Sequence, residues 1–196
     1  MASFASSRTT RAALIRPLLP HASTPPRFPC EIHVEIGLGH DGTLALTYRI
    51  SADPARLRIP PVGIPERADG LWRHTCCELF AAGAGEAYRE FNFSPSGQWQ
   101  AYLFHGYRDG GPLPNPVAPT LLTTLDSTGL VLSVRLPAGN LSGRPARLGI
   151  TVVLEDAAGG LSYWALAHAA DKPDFHDPAT FTLMPEPDSP THENRP

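Results

Sequence analysis

Cys77-Glu78-Leu79-Phe80, Arg89-Glu90-Phe91-Asn92-Phe93-Ser94, the turn Pro95-Ser96-Gly97 and the run from Trp99 to His105 decide the fold. Polar and apolar residues alternate through each run. Side chains two apart share one face of a strand, so each run is a strand with two unlike faces. The short Pro-Ser-Gly connection joins neighbours antiparallel, and the stretch reads as a three-stranded meander.

The same period extends outward in both directions. Ile32, Val34 and Ile36 alternate, as do Leu44, Leu46, Tyr48 and Ile50, then Leu130, Leu132, Val134 and Leu136, and finally Leu148, Ile150, Val152 and Leu154. Gly39-His40-Asp41-Gly42 and Asp156-Ala157-Ala158-Gly159-Gly160 read as hairpin turns. Roughly eight to ten strands at ~8–12-residue spacing, without a helical period or an internal repeat, predict an all-β antiparallel β-sandwich, jelly-roll-like and immunoglobulin-like in general architecture.

A chain of 196 residues suits one such domain. Its 22 prolines gather in flanks and connections such as Pro60-Pro61 and Pro112 to Pro116. The expected organisation is an irregular N-terminal flank over residues 1–29, a sandwich over residues 30–184 and a disordered tail over residues 185–196. Within the first flank, Leu14 to Leu19 is apolar enough to pack across a sheet.

Formal net charge is −3 and the basic residues are scattered, which argues against nucleic-acid binding. Cys30, Cys76 and Cys77 are odd in number with two adjacent, a poor basis for a disulfide framework and a better fit to a reducing compartment. Arg8 and Arg11 precede Ala12 to Ile15 in the manner of a signal peptide, but Arg16 and Pro17 cut the apolar run short of the ~7–15 residues required. A cytoplasmic protein without membrane partners is the expectation.

If Leu79, Phe91 and Phe93 face the core, Glu78, Glu90 and Asn92 share the opposite face of adjacent strands. Two carboxyls and an amide on one surface suit a polyhydroxyl ligand. Trp72, Trp164 and Phe175 lie near enough in sequence to stack on sugar CH patches, while Trp99 is a better core residue. Tyr102 belongs either to this polar face or to the core.

Two blocks carry a resemblance to a known family: Ala68 to Phe80, and Tyr88-Arg89-Glu90-Phe91-Asn92-Phe93-Ser94-Pro95-Ser96-Gly97. They resemble the DOMON-like domains, which are similar to family 9 carbohydrate-binding modules. The segment from Tyr163-Trp164 through Lys172-Pro173-Asp174-Phe175-His176 to Phe181 resembles the final strand pair of that family, so the resemblance spans most of residues 30–184. It implies a clamp in which two aromatics sandwich a sugar while a carboxylate and an amide hold its hydroxyls. Trp72 and Glu78 match the clamp, and its second aromatic is either Phe175 or Trp164. Some DOMON-like domains are presumed to bind haem, so the ligand stays open.

Other chemistries have partial signals. His74, Cys76 and Cys77 lack the spacing of a metal site. Haem would draw on His74, His168, His176 or Met184, and structural calcium on Asp53, Asp69, Asp171 or Asp174. Glu78 and Glu90 at about 5–10 Å would meet the requirement of a glycosidase, although no nucleophile elbow, Walker loop or dinucleotide fingerprint is present. A protein-interaction module anchored by Trp72 is a further class. The favoured expectation is a non-catalytic binder of a small sugar-like ligand: Trp72 stacks, Glu78 and Asn92 bond hydroxyls, and Glu90 and Tyr102 support them.

Overall fold

A computed structural model describes residues 14–185. The described residues form eleven strands and four short 3-10 turns. In chain order the strands are β1 (Leu14–Pro20), β2 (Glu31–Leu38), β3 (Leu44–Ser51), β4 (Cys76–Ala82), β5 (Tyr88–Phe93), β6 (Trp99–Gly106), β7 (Asp109–Pro112), β8 (Thr120–Asp126), β9 (Gly129–Leu136), β10 (Arg147–Glu155) and β11 (Leu161–Ala165). Adjacent strands all pair antiparallel, in the order β7-β6-β5-β4-β10-β11-β1-β2-β3-β9-β8.

This continuous array bends at β1 into two facing layers. Leu14–Leu18 pair with β2, and Leu19 and Pro20 pair with β11, so one strand belongs to both sheets. Residues 14–20 are thus part of the domain rather than of an irregular flank, since Leu18 is needed in the core. Residues 1–13 and the tail from 186 lie outside the described residues.

The first sheet (β1, β2, β3, β9, β8) shows why alternation was legible. Ile32 faces Ile50 in register, Val34 faces Tyr48, Tyr48 faces Leu132, and Leu46 faces Val134, so the inward residues make directly opposed cross-strand pairs. Leu79, Phe91, Phe93, Ile150 and Val152 of the second sheet close over them in one core cluster. The layers also share a polar link, Tyr48 Oη donating to the Glu78 carbonyl at 2.8 Å. The architecture is an all-β antiparallel sandwich.

The second sheet comprises β11, β10, β4, β5, β6 and β7, and its central strands β10, β4 and β5 are buried on both faces. Every residue of β4 is buried, because residues 166–183 fold back over its outer face. This strap is not a strand pair: it carries a 3-10 turn at Pro178–Thr180 and one bridge, Leu148 to Leu183. Phe181 stacks on Phe80 at 5.4 Å, a close approach permitted by Gly149, where an added Cβ would lie 2.5 Å from the Phe181 ring. Cys77 fills the inter-sheet core, Cys76 faces outward, and both are free thiols. Among the described residues no helix is long and apolar enough to cross a membrane.

Candidate functional site

Register builds the site on the outer face of the second sheet. Glu78 lies opposite Asn92 on one side and Thr151 on the other, while Glu90 lies between Phe80 and Tyr102. Glu78 and Glu90 are therefore diagonal neighbours on adjacent strands, a separation of about 7–8 Å between backbones. Over them opens a cavity of about 340 Å³. Its walls are aromatic: Trp72, Phe80, Tyr102, Phe104, Tyr163 and Phe175. Arg108, Val153, Pro173 and His176 complete the lining.

Local structure sets the wall residues. Gly70, at φ 77°, turns the chain into the short 3-10 helix Leu71–Arg73, which sets the half-exposed Trp72 edge-on against Tyr102 at 6.0 Å. Tyr102 is fixed in turn by its hydroxyl, which donates to Asp69 Oδ1 at 2.9 Å. Gln100 donates to the same oxygen at 2.8 Å. On the opposite wall, Tyr163 meets Phe175 edge to face at 5.9 Å.

The two carboxyls form the polar floor. Glu78 is 2 % exposed and Glu90 5 % exposed. Thr151 donates to Glu78 Oε2 at 2.9 Å, and Asn92 donates to Glu90 Oε1 at 2.8 Å. Glu78 Oε1 takes no hydrogen bond among the described residues. Burial, reinforced by repulsion from Glu90, pushes the Glu78 carboxyl up to about 8. Burial likewise raises Glu90 to about 7, against the Asn92 hydrogen bond and the Arg108 charge. His176 Nε2 is 3.6 Å from Glu90 Oε2, too far for a hydrogen bond. Burial, aided by the nearby Arg108 charge, holds that histidine down to about 4, so the contact is not an ion pair near neutral pH.

The strap is clamped beside the cavity. Arg108, held at φ 55° in the turn between β6 and β7, donates to Asp174 Oδ1 at 2.8 Å. Tyr107 donates to Asp174 Oδ2 at 2.5 Å, and the Tyr88 hydroxyl lies 2.8 Å from His176 Nδ1.

The structure brings together Trp72, Glu78, Glu90, Tyr102 and Phe175 around one cavity. Asn92 is fully buried, does not line the cavity and spends its amide on Glu90. The roles of the two residues are thus exchanged, with Glu90 presenting its carboxyl and Asn92 bracing it. Trp164 faces the inter-sheet core, with Nε1 bonded to Ser162 at 3.0 Å, because it has the opposite parity to Tyr163. Tyr163, Phe80, Phe104 and Arg108 were not singled out from the sequence. Strand parity alone would have found Tyr163 once Trp164 was known to be core, whereas Arg108 depends on a turn that brings it to the strap.

The three histidines do not converge. His74 Nδ1 lies on Glu155 at 2.8 Å, His168 packs against His21, and only His176 reaches the cavity. The loop aspartates are similarly engaged: Asp53 caps Ala55, Asp69 holds Tyr102 and Gln100, and Asp174 holds the clamp. Among the described residues no group of three or more His, Cys, Asp or Glu side chains is placed to hold a metal ion.

No protein-family model and no curated protein matches this chain. Solved structures do match, among them two with a similar fold. A presumed carbohydrate-binding protein from Bacteroides uniformis superposes with a TM-score of 0.58 at 16 % identity, over 86 % of this chain and 84 % of that one. A family 9 carbohydrate-binding module from Caldicellulosiruptor kristjanssonii, in complex with cellotriose, superposes with a TM-score of 0.51 at 12 % identity, over 78 % of this chain and 72 % of that one. At such identities the shared property is architecture, and this chain has a fold like that of family 9 carbohydrate-binding modules.

Proposed function

We propose that this DOMON-like sandwich binds a small sugar-like ligand in the cavity of its second sheet without cutting it. The observation that carries the reading is the pairing of an aromatic wall with two buried carboxyls on the floor of a cavity of about 340 Å³, the lower end of the range for small-molecule sites. Aromatic faces suit the CH patches of a sugar ring, and carboxyls suit its hydroxyls. The carbohydrate-binding descriptions of both structural neighbours support the same reading.

Binding is favoured over hydrolysis by the electrostatics. A glycosidase sets its two carboxyls apart, one protonated as the acid and one ionised as nucleophile or base. Here burial drives both Glu78 and Glu90 upward, and the Asn92 hydrogen bond and the Arg108 charge only temper the rise at Glu90.

Calorimetric titration with glucose, galactose, mannose and cellobiose, together with their amino counterparts, tests the proposal. Trp72→Ala should weaken the binding sugar by about tenfold or more, corresponding to ~1.4 kcal/mol, and leave the unfolding temperature within about 2 °C, since Trp72 is 41 % exposed. Absence of binding by every sugar, or an affinity indifferent to Trp72→Ala, would overturn it.

A further inference from the structure

The outer face of the second sheet treats its buried carboxylates in two ways. Glu155 on β10 receives Arg58 Nη1 at 2.9 Å and His74 Nδ1 at 2.8 Å. Burial alone would raise its carboxyl, and these two partners hold it below the ordinary value instead. Glu78 and Glu90 are as deeply buried, yet no arginine or lysine bonds to either among the described residues. The one guanidinium in the lining, Arg108, is bonded to Asp174 at 2.8 Å and acts on Glu90 only through space, without a hydrogen bond to it.

Two buried acids without a countercation are costly when charged. Glu78 Oε1, in a side chain 2 % exposed, has no hydrogen-bond partner among the described residues and belongs to the cavity lining. Around it stand the rings of Trp72, Phe80, Tyr102, Tyr163 and Phe175, and an aromatic quadrupole favours a cation placed over its face. A positively charged group in this space would meet both aromatic faces and the carboxyl oxygens. We propose that the ligand is an amine-bearing sugar, its ring against the aromatic wall and its ammonium against Glu78 and Glu90. This deepens the carbohydrate-binding reading above and rests on it.

The proposal carries a pH signature. The titratable or charged groups that face the two carboxyls are Tyr48 and Cys77 from behind, Cys76 and Tyr88 on the same sheet face, Tyr102, Tyr163 and Arg108 in the lining, and His176 from the strap with Asp174 beside it. Burial drives both thiols and the Tyr48, Tyr88 and Tyr102 hydroxyls upward, so none of these ionises below pH 7. Asp174 is held low by Tyr107 and Arg108, although burial opposes them. His176 is already neutral above about pH 5, being lowered to about 4. Of these groups the two glutamates, raised to about 7 for Glu90 and about 8 for Glu78, are the ones still largely protonated between pH 5.5 and 7 that can release a proton to an incoming ammonium. Pairing an ammonium with a carboxyl that was protonated releases a proton, so affinity rises with pH, approaching tenfold per unit for one proton.

The experiment is calorimetric titration of the full chain at pH 5.5 and 7.0 with glucosamine, galactosamine and mannosamine, each beside its parent hexose and its N-acetyl derivative. At pH 7.0 one amino sugar should bind at least tenfold tighter than both neutral counterparts. The preference should shrink at least threefold at pH 5.5, and Glu78→Gln should abolish it. If a parent hexose binds as tightly as its amino form, or the preference survives Glu78→Gln, the ammonium assignment fails while the carbohydrate reading stands. If neither hexoses nor amino sugars bind, both fail together.

Discussion

Glu78 shows how parity, burial and charge combine in one residue. Alternation with Leu79 was enough to put Glu78 on the outer face of β4, beside Glu90. What alternation could not reveal was that this face is itself buried, since the cover comes from residues about ninety positions further along the chain. Alternation likewise put Asn92 on the right face without showing that its amide is taken by Glu90, whereas Trp164, one of two choices for the second aromatic, lies on the core side of β11. The buried carboxyls have a consequence for stability. Their folded values, about 8 for Glu78 and about 7 for Glu90, stand above the unfolded value of 4.5. The folded state therefore holds protons that the unfolded chain has released, and stability falls as pH rises from about 4.5 through 8. His176 acts oppositely at lower pH. Its folded value of about 4 lies below 6.5, so its contribution is lost as pH falls through that range. Glu78→Gln is isosteric with the protonated acid and should unfold at higher temperature than the wild type at pH 8. The expected gain is on the order of 1–3 kcal/mol, with much of the difference gone at pH 5. Thermal unfolding of both proteins at the two pH values checks this, and a Gln variant less stable at pH 8 would show the carboxyl to be charged in the folded state.

Among the elements, β2, β3 and β9 of the first sheet were readable because one face meets solvent and the other meets the core. β7 and β8 were not: Asp109–Pro112 is too short and glycine-rich to alternate, and β8 runs along an edge with little buried surface. The strap was the largest gap, since irregular backbone held by side chains leaves no period to detect. Its anchoring nevertheless has a definite physical basis at Gly149. A Cβ there would lie 2.5 Å from Phe181 Cδ1 and 3.3 Å from Phe80 Cβ, so the strap reaches the sheet only where a side chain is missing. Gly149→Val should force Phe181 off Phe80, destabilise the domain by about 1–3 kcal/mol and release the segment that carries Phe175 and His176. Amide exchange should accelerate over residues 174–183 while β2 and β3 stay protected, and ligand affinity should fall with it. Unchanged exchange in the strap would mean that Asp174 and its partners hold it without Phe181.

On the scale of the whole molecule, the two sheets have no independent cores. Residues from both layers interdigitate in one cluster, and β1 is hydrogen-bonded to β2 through Leu14–Leu18 and to β11 through Leu19 and Pro20. The segment was expected within an irregular flank in which Leu14 to Leu19 could pack across a sheet, and Pro17 lies outward in a strand whose inward residue, Leu18, is 3 % exposed. The site sits on one sheet and the seam lies at the other side of that sheet's order, so loss of the seam separates stability from binding. Leu18→Ala removes buried methyl groups at the point where the layers meet and should cost about 2–4 kcal/mol, a drop of about 2–4 °C for each kcal/mol in a domain of this size. The shared core requires that far-ultraviolet and aromatic signals still change together in a single transition, and that sugar affinity below that transition stays at the wild-type value, because Leu18 is not part of the cavity lining. Two separated transitions would show that the second sheet, with its own outer aromatic cluster of Phe80, Tyr88, Phe104, Phe175 and Phe181, can hold together without the first, and the ligand would then stabilise only the later one.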